Sequence, residues 1–528
     1  MKRGWAGAAA LAAAAALAGC TGGSHEESLA DGTAQGGGPG AVAPAPPGGQ
    51  HSRSADPGAE PTRPADFRST FALDVDTASY SYARRRLRDG VRPAARTVRT
   101  EEFVNSFPQG YRRPGGDGFS VSADGARTGQ AGWSLMRVGM ATKDSDPHAP
   151  RRPAALTFVL DVSGSMGEPG RLDLVKKALG TAAGELRASD AVSVVTFSGE
   201  ARTVLPMTRL DDGGRSRFRD AVAGLEPQAS TNLGAGMRAG YEQAAAHRQG
   251  GATNRVVLLS DALANTGRTD ASAILRSVER HRKEQGISLF GVGVGSDYGD
   301  ALMERLTDKG DGHTVYVSTP AEARKVFVDQ LPRNIELRAR DAKAQVVFDR
   351  NTVGNFRLLG YEDRAVADED FRDDTVDGGE IGPGHTVTAL YAVELQEGAT
   401  GRAATATVRW LNPDSRTPHE TSRTVDAGTL RSGSLWSAPG GKREGHGEEA
   451  GSTAGAGKVS PYLRQAAVAA YFAAELRSGS GAPPGHRPLP GARSLSGLHT
   501  AADGLAKKDG LRSAAGLAKD IQRARQAQ

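Results

Sequence analysis

Leu156-Thr157-Phe158-Val159-Leu160-Asp161-Val162-Ser163-Gly164-Ser165-Met166 is the stretch around which the rest of the chain is organised. Its apolar, partly β-branched opening ends abruptly at a turn, and such a run reads as a strand buried on both faces. The turn carries one carboxylate and two hydroxyls, at Asp161, Ser163 and Ser165. Hard divalent cations take oxygen ligands, and Mg²⁺ wants a compact octahedron that keeps some of its waters. Asp, Ser and Ser at alternate positions suit that need. The same residues also make an ordinary Asx turn, with Asp161 bonded to local backbone. The stretch alone therefore fixes a strand, and downstream loops must decide the chemistry.

Around this strand the chain alternates strands and helices from Ala154 to about Pro332. Strands are expected at Ala155–Leu160, Ala191–Phe197, Arg255–Leu259, Ser288–Val294 and Thr314–Val317, with Val204–Met207 as an antiparallel edge. Helices are expected at Leu172–Arg187, Arg215–Gly224, Leu233–His247, Asp270–Gln285, Asp300–Thr307 and Ala321–Gln330. Such alternation predicts a mostly parallel, doubly wound α/β sheet covered on both faces. In open sheets of this kind the binding crevice lies beyond the carboxyl ends of the strands. Asp161 and Ser260-Asp261 both fall there.

Two more loops carry oxygen donors. Ser230-Thr231-Asn232-Leu233-Gly234 precedes an expected helix, where Thr231 would by default be an N-cap. Ser260-Asp261-Ala262 follows a buried strand, where the aspartate would otherwise cap a turn. Asp161-x-Ser163-x-Ser165, Thr231-Asn232-Leu233-Gly234 and Ser260-Asp261, in this order and spacing, resemble the metal-ion-dependent adhesion site of von Willebrand factor type A domains. The resemblance implies that Ser163, Ser165 and Thr231 give neutral oxygens to Mg²⁺, with Mn²⁺ or Ca²⁺ as alternatives. It implies that Asp161 and Asp261 orient waters around the ion, as outer partners that tune affinity do. It further implies a protein partner that offers an exposed Asp or Glu to an open coordination position. Ala262 stands where the family usually has glycine, and alanine tolerates fewer backbone dihedrals.

Outside this domain, the chain reads as follows. The only cysteine is Cys20, which excludes disulfides within the chain. Lys2 and Arg3 precede an alanine- and leucine-rich run, and Leu17-Ala18-Gly19-Cys20 resembles the lipobox of bacterial lipoproteins. That resemblance implies cleavage before Cys20, a diacylglyceryl thioether on its sulfur, and an anchor at the extracytoplasmic face of the cell membrane. Two acyl chains hold stably where one is marginal. Residues 1–19 are thus expected as signal peptide. Residues 20–66, rich in Gly, Pro and Ala, are expected as the lipidated cysteine and a disordered tether.

Residues 67–115 are expected as an N-terminal family-specific region, with a strand at Ser69–Leu73 and Thr77 placed to cap a helix through Leu87. Asp74-Val75-Asp76-Thr77 approaches the nucleophile motif of haloacid dehalogenase phosphatases. The fifth position is Ala78, and no later lysine with paired aspartates follows, which sets that reading aside. Short alternating runs at 116–153 and 335–431 predict strands that complete an antiparallel sandwich-like domain, in which residues 154–334 are inserted or by which they are flanked. A linker is expected at 432–457. A helical region follows at 458–528, with an amphipathic helix at Tyr462–Leu476 and weakly helical residues beyond it. The 67–115 and C-terminal segments resemble those of a group of bacterial type A lipoproteins.

With 66 basic against 61 acidic residues the net charge is only +5, and aromatics are 5% of the chain. No basic cluster is interleaved with aromatics, so nucleic acid is not an expected partner. Gly-x-Ser-x-Gly is satisfied at neither Ser163 nor Ser165, and the histidines lack zinc-site spacing. Gly291-Val292-Gly293-Val294-Gly295 is read as a close-packed strand end. The expectation is a membrane-anchored, non-enzymatic protein-binding module. A scaffold lipoprotein with a structural or vestigial metal site, or a hydrolase, are the alternatives.

Overall fold

The computed structural model describes residues 66–73, 76–144, 152–261, 268–295, 300–310, 312–331, 335–436, 459–478 and 488–527. Cys20 with its lipobox, most of the tether, Asp74, Val75 and Ala262 lie outside the described residues. The chain opens with β1 (Arg68–Ala72), α1 (Ala78–Arg88) and α2 (Thr100–Asn105), then the paired strands β2 (Phe119–Arg127) and β3 (Trp133–Thr142). Next come β4 (Ala154–Asp161), α3 (Leu172–Glu185), β5 (Ala191–Phe197), β6 (Ala201–Arg209) and α4 (Asp212–Ala223). The same unit continues with α5 (Leu233–Ala246), β7 (Thr253–Ser260), α6 (Arg268–Gln285), β8 (Ser288–Val294), α7 (Asp300–Lys309) and β9 (Thr314–Val317). It ends in α8 (Pro320–Arg324), which runs on as a π-helical turn over Lys325–Gln330.

These strands form one six-stranded sheet in the order β6-β5-β4-β7-β8-β9. All pairings are parallel except β5 with β6. Every residue of β4 is buried, because successive side chains enter different cores. Leu156, Phe158 and Leu160 pack with α3 and the Val326–Leu331 end of α8, whereas Val159 joins Met237, Tyr241 and Val278 on the other face. That is the double-sided burial a near-continuous apolar strand demands. β4 is flanked by β5 on one side and β7 on the other, so the strand order reverses at β4 and β7. Ligand crevices of open α/β sheets form at such a switch point.

Among the described residues, nine further strands lie before and after this unit in the chain: β1 to β3, then β10 (Ala339–Phe348), β11 (Val353–Leu358), β12 (Gly379–Ile381), β13 (Thr386–Leu395), β14 (Arg402–Leu411) and β15 (Pro418–Asp426). One antiparallel sheet runs β1-β10-β14-β15 with β12 also on β10, and the other runs β11-β13-β3-β2. The α/β unit is inserted between β3 and β10. Alternation settles the layers. Val387, Ala389, Tyr391 and Val393 of β13 face the core between the two sheets, while Leu390 and Ala392 face the helices. β1 belongs to this sandwich through its antiparallel pairing with β10.

The C-terminal helices differ from their sequence reading in physical detail. They are α9 (Pro461–Arg477), α10 (Leu495–Lys507) and α11 (Arg512–Gln526). Eleven of the seventeen α9 residues are buried, so this alanine-rich helix is enclosed nearly all round rather than amphipathic. α10 and α11 are regular helices: Leu498, Ala502 and Leu505 of one and Leu517, Ile521 and Ala524 of the other enter the same core as α9. Tertiary burial overrides the weak propensity of their glycines. Leu435 and Trp436, expected in the linker, instead cap that core, and the indole N–H donates to the Thr128 carbonyl at 2.8 Å. Among the described residues no helix is long and apolar enough to cross a membrane.

Candidate metal centre

The turn after β4 turns the Asp161 carboxylate back on its own backbone. The Ser163 N–H donates to Asp161 Oδ1 at 2.9 Å, and Ser260 at the end of β7 donates its hydroxyl to Oδ2 at 2.5 Å. The Asx-turn geometry is therefore real, and it fixes Asp161 between two strand ends. Burial pushes this carboxyl above the ordinary range, against the bonds from Ser260 and Ser163, and the neighbouring Asp261 adds to the upward push.

From there a chain of hydroxyls crosses the crest. Ser163 Oγ and Ser165 Oγ are 3.1 Å apart, and Ser165 Oγ donates to Asp261 Oδ1 at 3.0 Å. Asp261 thus spans 96 positions of sequence to the β4 turn. This is a long-range bond and no local turn cap. Ser163 and Asp261 are each only 1% exposed.

The loop bearing Thr231 is tied to the same crest. Gln228 N–H donates to the Val162 carbonyl, and Asn232 N–H to the Ser198 carbonyl, both at 2.6 Å. Asn232 Oδ1 accepts from Ala235 N–H at 3.0 Å and so caps α5. The cap position expected of Thr231 is thereby taken by its neighbour, which leaves the threonine hydroxyl to other uses. Ser230 is held at φ +72°, a left-handed conformation uncommon for a non-glycine residue and concentrated at functional sites. The structure joins Asp161, Ser163, Ser165 and Asp261 in one hydrogen-bonded set, and Thr231 stands in the adjacent loop without a bond to that set.

Two roles escaped the sequence reading, those of Ser260 and Arg171. Ser260 braces Asp161. Arg171, in the turn before α3, donates through Nη1 to the Ser165 carbonyl at 3.0 Å and to Asp261 Oδ2 at 2.5 Å. Its Nη2 lies 2.8 Å from the exposed Glu168. No spacing rule marks Arg171, because its partner Asp261 is brought by β7. The glycine-rich end of β8 is indeed close-packed. A Cβ at Gly291 would come within 2.8 Å of Met303 Sδ and Thr307 Cγ2, and Gly295 sits at φ +89° against Arg171.

The donor set is oxygen only: hydroxyls of Ser163 and Ser165, a hydroxyl at Thr231 nearby, and two buried carboxylates. That composition fits a hard divalent cation such as Mg²⁺. No group of three or more His, Cys, Asp or Glu suited to a metal occurs among the described residues, so a thiolate- or imidazole-rich site is not formed there. The Ser163 and Ser165 hydroxyls bond one another, and the Ser165 hydroxyl bonds Asp261.

Residues 155–329 match the family model of the von Willebrand factor type A domain. Residues 335–482 match "Uncharacterized protein YfbK, C-terminal", and residues 55–134 match a region described as "von Willebrand factor". The uncharacterized protein YfbK of Escherichia coli (strain K12) is 35% identical over 338 residues, covering 62% of this chain and 58% of that protein. A UPF0353 protein of Mycobacterium sp. (strain KMS) is 24% identical over 220 residues, 37% of this chain and 64% of that one. The chain therefore spans less than two thirds of the length of these curated relatives. The solved von Willebrand factor type A protein from Catenulispora acidiphila aligns with TM-score 0.47 at 14% identity, over 75% of this chain and 89% of that one. Domains of this type serve protein interaction or adhesion, are generally non-enzymatic, and often hold a divalent cation.

Proposed function

We propose that this chain, in which residues 155–329 match the von Willebrand factor type A model and residues 335–482 the YfbK C-terminal model, is a membrane-anchored adhesion module. In this reading it grips a partner protein's Asp or Glu through a Mg²⁺-dependent site. The observation that carries the reading is the Ser163–Ser165–Asp261 hydrogen-bonded chain at the strand-order switch between β4 and β7. Ser163, Ser165 and Thr231 would hold the ion through neutral oxygens, while Asp161 and Asp261 would orient its waters. The ion would supply a Lewis-acidic position for an external carboxylate.

What this chain contributes is preorganisation. Asp161 is held by the Ser260 hydroxyl and the Ser163 N–H, which fix its carboxylate at the crest beside Ser163. With few charges placed directly on the ion, its attraction for an outside carboxylate stays strong. The Cys20 lipobox and the Gly/Pro-rich tether support display of the site on the extracytoplasmic face. Anchoring is tested by labelling with palmitate in cells: incorporation is expected in the wild type and absent in Cys20→Ser.

Recognition is tested by crosslinking capture from envelope extracts with the chain from Gly23 to Gln528. Capture in Mg²⁺ is expected to be lost with chelator, in Ser165→Ala, and on adding a glutamate-rich competitor peptide. Capture unchanged by chelation would remove the metal from recognition. The scaffold alternative draws on one observation, the Arg171 guanidinium already set against Asp261.

A further inference from the structure

Arg171 is the cation that this site carries in its own chain. Its side chain is only 5% exposed, yet it lies beside the surface-exposed turn that holds Ser165. Three segments converge on it. The β4 turn offers the Ser165 carbonyl, the end of β7 offers Asp261 Oδ2, and the end of β8 supplies the berth. At that berth Gly295 adopts φ +89°, and a Cβ there would fall 2.9 Å from Arg171 Nε. Any side chain at 295 would therefore press on the guanidinium. Glu168, held by Nη2, fixes the outer edge of the fork.

Both oxygens of Asp261 are consequently satisfied without an external ion, Oδ1 by Ser165 and Oδ2 by Arg171. A buried carboxylate without such a partner is costly, and a planar guanidinium meets two acceptors at fixed angles where an ammonium does not. The same positive charge, set against the carboxylate that a divalent cation would exploit, opposes that cation.

We propose, resting on the metal-site reading above, that Arg171 is a resident counter-ion of the adhesion site. It keeps the Ser163–Ser165–Asp261 set preformed in the metal-free protein and weakens divalent-cation binding there. The site is then loaded only where free divalent cation is abundant, and Arg171 sets that threshold.

The test compares wild type, Arg171→Gln and Arg171→Lys, each from Gly23 to Gln528, by thermal unfolding in chelator and by Mn²⁺ titration followed by electron paramagnetic resonance. Arg171→Gln is expected to unfold several degrees lower without metal, to bind Mn²⁺ about tenfold tighter, and to recover its midpoint when loaded. Arg171→Lys is expected to fall between the two, and it serves alone if the glutamine chain does not fold. Mn²⁺ affinity equal to or weaker than wild type in the folded variants would overturn the proposal. If neither wild type nor variant binds Mn²⁺, the metal-site reading itself fails. Binding by all with equal affinity sinks only the role of Arg171.

Discussion

Ser165 is the residue at which the site closes, because its hydroxyl meets both Ser163 and Asp261 while its carbonyl receives Arg171. Side chains of this kind are read from sequence only as far as their chemistry is local. Asp161, Ser163 and Ser165 share one turn, so their type and spacing are visible as a motif. Thr231 and Asp261 are visible as loops at strand and helix ends. The bonds that Arg171 makes to Asp261 and Ser260 to Asp161 are not, since they join positions about 90 or more apart.

A second buried constellation was equally hidden. Glu102 of α2 accepts from Ser79 N–H at 2.8 Å, and burial pushes its carboxyl up to about 8, with Asp76 adding to the push. The folded carboxyl keeps its proton where the unfolded one, near 4.5, has lost it. Its contribution to stability is therefore complete below about pH 4.5 and declines as pH rises to about 8. Glu102→Gln is expected to flatten the fall in thermal midpoint between pH 5 and pH 8. An identical slope in the variant would show that other groups cause it.

At the scale of elements, the strands of the central sheet were the most legible. β5, β8 and β9 have the bounds expected from their apolar runs. Helix ends were less so. Thr77 occupies the N-cap of α1 without a side-chain cap bond, and Asn232 caps α5 in place of Thr231. Asn232→Ala should cost about 1 kcal/mol, read from denaturant midpoints, while leaving the sheet intact. The end of β8 is more demanding. Gly295→Ala combines a positive φ with contact on Arg171, and a loss on the order of 1–3 kcal/mol is expected. A neutral Gly295→Ala would mean that the berth yields freely. The C-terminal helical region was legible as helix, but the regularity of α10 and α11 was not, because their glycine- and alanine-rich surface hides a stripe of leucines that only packing against α9 makes decisive.

The described residues of the α/β unit and the sandwich are bound to one another by buried charge as well as by chain connections. Arg255 of β7 is 1% exposed, with Nε on Ser288 Oγ and Nη2 on Glu380 of β12, each at 2.9 Å. Asp76 accepts from Thr314 N–H of β9 at 2.8 Å and from Arg364 at 2.6 Å, joining the N-terminal segment to both neighbours. Truncating one partner of such a pair strands the other, so Arg255→Ala should cost about 3–5 kcal/mol in chemical unfolding. A cost under 1 kcal/mol would show that the junction is held by other contacts.

The inserted position of the α/β unit was legible as strand-rich runs on either side of it, but which strands share a sheet depends on pairings such as β1 with β10, which no local pattern announces. The crest beyond β4 and β7 is where metal binding is decided. Calorimetric titration of Mg²⁺ into the chain from Gly23 to Gln528 tests it most directly, wild type against Ser163→Ala/Ser165→Ala. Saturable binding by wild type and its loss in the double variant is the expected result. No binding by wild type, or equal binding by the variant, would contradict it.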